Sequence, residues 1–289
     1  SPVANNPEFS LEGTTEDLNF GILALSRLTS GKVFAATHAN TKTFAGLKGA
    51  EVHQFEGPHP AGLVGTHISR LDPINRGDVV WTVHARDLVL ISRFLRTGKV
   101  HTERTVAITG PGASKTHYVK SQMGAQVASL VDDCLGAGEQ RLISGNVLTG
   151  SKVSSQGFLG FYDDVITIVP EGTERHFLGW MSPGINVPSF TRTVLSSFIP
   201  GKKFAMTSNL NGGVRAIIQS GMWEQVVAID VCPEFLIKAA ITQNIEEMEK
   251  LGIYEVDPED FALCSYVCPS KTEVTSIIQQ GLDLMEKEG

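Results

Sequence analysis

The chain holds four cysteines, and three of them sit at spacings that suit thiolate chemistry. A two-cluster iron–sulfur domain spaces its ligands C-x2-C-x2-C-x3-C-P, because four thiolates on one tight turn can surround a cubane. In ALCSYVCPSK, Ala262 to Lys271, Cys268 precedes Pro269 and takes the fourth ligand position, with Cys264 at the third. Phe261 and Pro258 hold the second and first, and neither binds iron. The same count upstream of Pro233 places Cys232 fourth, behind Met222, Gln225 and Ala228. The fourth cysteine of each run serves the other cluster, so Cys232 is expected near Cys264, with Cys268 alone at a second vacated site. Neither site keeps four thiolates. Free cysteines are often simply buried, but two matching C-P pairs favour a ferredoxin-like helical scaffold that holds no cluster.

Two histidines flank the glycine-rich string GPHPAGLVGTHI, Gly57 to Ile68. His59 and His67 lack the spacing of a helical H-E-x-x-H pair, and no nearby Cys or acidic cluster completes a metal shell. The string is instead a candidate ligand or partner loop: Gly57, Gly62 and Gly65 let the backbone approach a neighbour closely, with His59, Pro60 and His67 beside it. A tight turn that supports domain packing is an equal reading. TGPGASKT, Thr109 to Thr116, looks like a phosphate loop but fails the Walker pattern. Ser114 stands before Lys115, and Thr109 occupies the first glycine position. A strand-ending turn accounts for it better. No G-x-S-x-G elbow occurs, and no catalytic residue is assigned.

The elements that must carry these residues follow from periodicity. Thr14 with Asp17 predicts a helix N-terminus, continued by Leu18, Ile22, Leu25 and Leu28 on one face and ending near Gly31. KVFAAT (Lys32 to Thr37), EVHQF (Glu51 to Phe55), DVVWTV (Asp78 to Val83) and RTVAIT (Arg104 to Thr109) read as strands. Asp87 is expected to cap a helix through Arg96 that Gly98 ends. This alternation predicts an open α/β sheet over residues 1–134. From Glu139 the pattern shifts to short strands and glycine turns, with RLISGNVLTG and DDVITIV in a β-rich unit over 139–228. Gly136 and Gly138 mark the boundary. The stretch from Gly179 to Gly221 reads as loops, broken by a short helix near Thr191 to Phe198.

Residues 229–289 read as helical. Pro233 takes a first helical position, Gly252 stops NIEEMEKL, and Asp257 caps the next helix with Asp260 completing a capping box. Val274, Ile277, Ile278, Gly281, Leu282 and Met285 form an apolar stripe suited to core packing or to a partner face.

A length of 289 residues suits about two domains of ~150 each, and a net charge of -7 excludes a nucleic-acid surface, which needs a clustered basic face. No run approaches a membrane helix; the best, Val226 to Ile241, is broken by Asp230, Pro233, Glu234 and Lys238. The opening SPVANNPEF lacks an initiator Met, a basic region or an apolar region, which suggests a fragment without a signal peptide. Widely spaced cysteines fit a reducing cytoplasm.

Taken together, GPHPAGLVGTHI, RLISGNVLTG, TRTVLSSF (Thr191 to Phe198), ALCSYVCPSK and the terminal MEKEG resemble the A subunits of the bacterial Na+-translocating NADH:quinone oxidoreductases, over essentially the whole chain. The resemblance implies the C-terminal two-thirds of such a protein, with a lipoyl-like barrel upstream. It also implies an order of units known from the NADH-binding flavoprotein of complex I and its Rnf counterpart. That order is a Rossmann-like open sheet over 1–134, a β-grasp (soluble-ligand-binding-like) domain over 139–228, and a ferredoxin-like helical domain without clusters over 229–289. Those relatives carry acidic residues after the glycine matching Gly62, near flavin and nicotinamide; here Leu63 and Val64 follow. The loss speaks against an inherited flavin or NADH site, and fold alone licenses no activity.

The complex of the resemblance oxidises NADH, reduces ubiquinone and exports Na+, with its NADH site and sodium path in other subunits. The chain is therefore expected as a peripheral subunit on the cytoplasmic face of the bacterial inner membrane, docked on the membrane-embedded B subunit. Its expected work is assembly and a share in quinone access, with no cofactor of its own. The alternative is an NADH-binding flavoenzyme component related to the Rnf complex.

Overall fold

The computed structural model describes residues 3–39, 41–173 and 177–288, apart from the side chain of Trp180. It opens with a short helix α1 (Pro7–Ser10), capped by the Asn6 side chain, and α2 (Thr15–Leu25). Two parallel strands follow, β1 (Phe34–His38) and β2 (Glu51–Phe55), in register from Phe34 with Glu51 to His38 with Phe55. Then come α3 (Val64–Leu71) and α4 (Ala85–Thr97), the latter ended by Gly98 in the left-handed region at φ 67°. Helices α2 and α4 pack through Leu18, Ile22, Leu88 and Val89. Gly21 lies at their crossing, where an added Cβ would fall 2.6 Å from Leu88 Cδ1. Asp17 accepts from Arg93 Nε at 2.8 Å and Arg96 Nη1 at 2.9 Å, tying α2 to α4.

Two expectations for this part need correction. The helix from Thr14 stops at Leu25 instead of near Gly31: Arg27 and Leu28 donate back only three residues, to Ala24 and Leu25, which tightens the last turn. DVVWTV forms no strand. Val79 and Trp81 are 78% and 88% exposed, and the run pairs with no strand among the described residues. Strand propensity expresses fit to a half-buried pleated surface, and none is offered here.

The second sheet starts with the hairpin β3 (Glu103–Thr109) and β4 (His117–Gln122), followed by α5 (Ala128–Val131), β5 (Gln140–Ser144), β6 (Ser151–Val153) and β7 (Val165–Pro170). Its order is β4-β3-β7-β5-β6, with β3 parallel to β7 and the other pairs antiparallel. RTVAIT, expected to continue the first open sheet, belongs to this one instead, because β7 pairs with it through Ala107, Ile108 and Thr109. Both flanks of β7 are covered by strands, and Val165 through Val169 are all buried, with Thr167, the one hydroxyl in the run, donating to Gly145 O at 2.8 Å. Val127, Leu130, Val131 and Cys134 close one face over Val106, Ile108, Ile166 and Ile168.

The strand-ending turn expected at TGPGASKT is what the structure holds. Gly110 has φ 108°, Gly112 N–H donates to Ile168 O at 2.9 Å, and Gly136 N–H donates to Gly112 O at 2.8 Å.

Buried Arg104 on β3 joins the two parts. It donates to the carbonyls of Phe161 and Asp163 and, at 3.3 Å, to Asp87 Oδ1 on α4; Arg86 pairs with Asp164.

After β7 the chain makes a long excursion and comes back to where it left. Ser208 N–H donates to Pro170 O at 3.1 Å, and Gly172 N–H donates to Ser208 Oγ at 2.9 Å. Within the excursion the short helix expected near Thr191 to Phe198 is a 3-10 turn at Leu195–Phe198.

The C-terminal helices are α6 (Pro233–Ile241), α7 (Ile245–Lys250), α8 (Ala262–Val267) and α9 (Val274–Glu288). Their limits follow the sequence signals. Pro233 starts α6, Asn244 caps α7, Gly252 takes φ 86°, and Asp257 and Asp260 form the capping box of the 3-10 turn Pro258–Phe261 that feeds α8. On α9 the buried residues are Val274, Ile278, Gly281 and Met285, and Gly281 lets Ala240 and Met248 approach to 3.2 Å of where a Cβ would stand. Among the described residues no helix is long and apolar enough to cross a membrane.

Candidate functional site

The loop from Gly57 to Leu63 is wound by two short backbone bonds, Ala61 N–H to Pro58 O and Leu63 N–H to Pro60 O, both 2.9 Å. The His59–Pro60 peptide is cis, and Gly57 takes φ 142°, a conformation that favours glycine. Gly57 and Gly62 are exposed, while His59, Pro60, Gly65 and His67 are partly covered. The six candidates thus fall in one loop and the first turn of α3.

Both histidines turn inward. His67 Nε2 lies 3.0 Å from Ala61 O, which selects the tautomer with the proton on Nε2, and its ring packs 4.2 Å from that of Phe55 on β2. Both ring nitrogens of His59 are buried and have no protein partner. Burial lowers the pKa of each imidazole, so both are neutral at pH 7. Among the described residues no group of three His, Cys, Asp or Glu is arranged to hold a metal ion.

The expected close backbone approach occurs at Gly65, and the neighbour is a side chain of this same protein. A Cβ on Gly65 would overlap the carboxylate of Asp260, which belongs to the capping box before α8. Asp260 Oδ2 accepts from Asp257 N–H at 3.0 Å, whereas its buried Oδ1 has no protein partner, as is true of Thr66 Oγ1. Burial raises the Asp260 carboxyl to about 6, against the lowering effect of the Asp257 N–H and with a smaller contribution from the charges of Asp257 and Glu259. The first turn of α3 has no side-chain cap of its own. Its neighbourhood is therefore a polar seam between the α/β part and the C-terminal helices. Arg70 Nη2 to Ala228 O and Arg76 to Glu249, both 3.4 Å, flank the seam.

Sequence reasoning does not reach Asp260 or Thr66 as parts of this site. Asp260 announces itself in sequence only as a cap, and its reach to Gly65 depends on how two distant segments pack.

The vestigial cluster positions lie elsewhere in the helical part. Cys264 and Cys268 are buried in one apolar core with Leu236, Phe261, Val274 and Ile278, while Cys232 is exposed at the N-cap of α6. Burial pushes the Cys264 thiol up to about 12, followed by the charge of Glu224 and the neighbouring Cys268. A thiol held so firmly protonated is inert as a nucleophile. Cys268, in the same core, is among the groups that act on Cys264.

A second polar cluster sits at the edge of the larger sheet. Glu171 accepts from Arg141 Nε at 3.0 Å and from Ser208 Oγ at 2.6 Å, with Lys152 at 3.7 Å. Those bonds, Arg141 foremost, hold its carboxyl down at about 2.

Residues 1–100 match the family described as "NqrA second alpha/beta domain", and residues 105–155 match "NQRA C-terminal domain". The chain is 39% identical over 292 residues to the A subunit of the Na(+)-translocating NADH-quinone reductase of Histophilus somni (strain 2336), covering 100% of this chain and 65% of that protein. It is 38% identical over 290 residues to the protein of the same name from Vibrio anguillarum, again with 100% and 65% coverage. The corresponding protein of Haemophilus influenzae (strain ATCC 51907 / DSM 11121 / KW20 / Rd) is 38% identical over 293 residues. The chain thus spans 65% of the length of these relatives.

Proposed function

This chain belongs to the family formed by the A subunits of Na(+)-translocating NADH-quinone reductases, and on that premise we propose that it serves as a peripheral component of a membrane complex that oxidises NADH, reduces ubiquinone and exports Na+. Its work is to assemble the complex, docked on the membrane-embedded B subunit at the cytoplasmic face of the bacterial inner membrane, and to take part in quinone access. It brings no redox cofactor to that task. The observation that carries this reading is the state of the iron motif: Cys264 and Cys268 are packed in the apolar core, and Phe261 and Pro258 stand at the two preceding positions where a cluster needs thiolates.

The finer fold assignments are part of the same proposal. The hairpin β3–β4, the helix α5, and a last strand β7 inserted between β3 and β5 support a β-grasp unit. The parallel pair β1–β2 with its helices supports a Rossmann-like unit, and the proline-started helix after Cys232 and the capped turn before Cys264 support a ferredoxin-like helical unit. The Rnf-like flavoenzyme reading is disfavoured, since Leu63 and Val64 open α3 where that reading needs acidic residues, and Asp260 fills the approach that Gly65 makes possible.

The test is reconstitution of the complex with and without the full-length protein to which this chain belongs. Omission is expected to abolish NADH-driven ubiquinone reduction and Na+ uptake, while NADH oxidation by an artificial acceptor in the other subunits persists. Retention of quinone reduction without it, or stoichiometric iron with a thiolate-to-iron charge-transfer band in the isolated protein, would overturn the proposal.

A further inference from the structure

The excursion between β7 and Ser208 is unlike the rest of an acidic protein. From Phe177 through Trp223 the sequence contains no Asp or Glu, yet it carries Arg192, Lys202, Lys203 and Arg215. The net charge of the whole chain is -7, so this stretch concentrates charge of the opposite sign. Its polar bonds are spent on closing the lobe upon itself. Leu195 N–H donates to Pro183 O at 2.9 Å, Ser196 Oγ donates to Val187 O at 2.6 Å, and Lys202 Nζ binds Ile185 O and Asn186 Oδ1. With the neck sealed at Pro170, Gly172 and Ser208, the lobe is an enlarged Ω-loop, a form that is frequently functional.

What the lobe turns outward is apolar. Phe177 and Phe198 are 93% and 80% exposed, and Met181, Phe190, Leu195 and Ile199 are exposed too, with Leu195, Phe198 and Ile199 on one short turn. Soluble surfaces seldom leave this much apolar area together without a use. The cations Arg192 and Lys203 are exposed as well, and neither makes an ion pair among the described residues. Protein interfaces are depleted in lysine. Exposed Phe and Leu interleaved with Lys and Arg, and free of acid, match a surface that enters the headgroup layer of an anionic bilayer.

We propose that the lobe spanning residues 177–207 binds the surface of an anionic phospholipid membrane, its aromatic and aliphatic side chains entering the headgroup boundary and Arg192 and Lys203 meeting lipid phosphates. The inference rests on the lobe alone and stands whether or not the reading of the chain as part of a membrane complex holds.

The test is flotation of the chain with vesicles of phosphatidylcholine, with or without phosphatidylglycerol. Binding is expected only to the anionic vesicles and should fade as salt screens the charges. Arg192→Gln with Lys203→Gln should weaken binding about 25-fold, at about fivefold for each cation near an anionic surface. Phe177→Ser with Phe198→Ser should weaken it too without moving the Tm, since both rings are already in water. Absence of binding to either vesicle type, equal binding to both, or variants that bind like the parent would overturn the proposal. So would variants that keep vesicle binding yet lose the other subunits, which would make the lobe a protein-docking face.

Discussion

Gly65 and Asp260 meet across the seam between the α/β part and the C-terminal helices, so closely that a methyl group on Gly65 would occupy the space of the Asp260 carboxylate. The glycine is required by a neighbour, and its own backbone conformation is ordinary helix. The contact makes the glycine-rich loop an internal joint. A loop that from its composition invites a ligand is here held by a side chain from the far end of the chain.

Gly65→Ala is expected to destabilise the protein by about 1–3 kcal/mol, as overpacking of a close contact does. The double variant Gly65→Ala/Asp260→Ala should recover part of that loss, because the carboxylate that the methyl meets is gone. Denaturant midpoints for the four proteins of the cycle decide it. Strict additivity would mean that the two residues do not touch.

Asp260 also sets a pH dependence. Its carboxyl is raised to about 6 from an ordinary 3.8, so the folded state holds a proton that the unfolded state has released. Stability should therefore fall as pH rises from about 4 to above 6, by up to about 3 kcal/mol. Burial raises Glu259 too and gives the same sign. Asp260→Asn, which still offers an oxygen to Asp257 N–H, should flatten the slope over that window. An unchanged slope, measured from urea titrations at several pH values, would count against the assignment.

Glu171 works in the opposite direction and in a lower window. Its carboxyl is depressed from 4.5 to about 2, chiefly by Arg141, so its contribution is present above about 4.5 and is lost as pH falls toward 2. Arg141→Gln should remove most of that acid sensitivity. Acid-unfolding midpoints of parent and variant read the difference.

Thiol reactivity separates the cysteines. Of four, only Cys232 is exposed. A neutral aromatic disulfide reagent should modify one thiol quickly in the native protein and the other three only on unfolding. Cys232→Ser should abolish the fast phase.

Arg104→Ala should cost about 3–5 kcal/mol, since it leaves the carbonyls of Phe161 and Asp163 without their donor and Asp87 short of a partner in a buried network. The loss should appear in thermal unfolding.

Local chemistry is readable in this sequence, and long-range pairing is not. The Asp257–Asp260 capping box, Pro233 at the start of a helix, Gly98 and Gly252 at helix ends and the stripe on α9 all follow from interactions within a few residues. DVVWTV misleads because an apolar β-rich run specifies willingness to pair and cannot supply the partner. RTVAIT is recognisable as a strand, but its sheet is not, since its neighbour β7 arrives much later in the chain. The candidate loop stands out by its glycines; what it touches stays hidden because Asp260 has a sufficient local reason to exist.

The last strand of the larger sheet in chain order is also its middle one, with β3 on one side and β5 on the other. As the chain leaves the ribosome, the hairpins β3–β4 and β5–β6 must therefore wait with bare inner edges until Val165 to Pro170 emerge to join them. Open edges of this kind invite pairing with other chains. Synthesis thus has a vulnerable interval that closes only when β7 has emerged and paired, and any pause before that point would lengthen it.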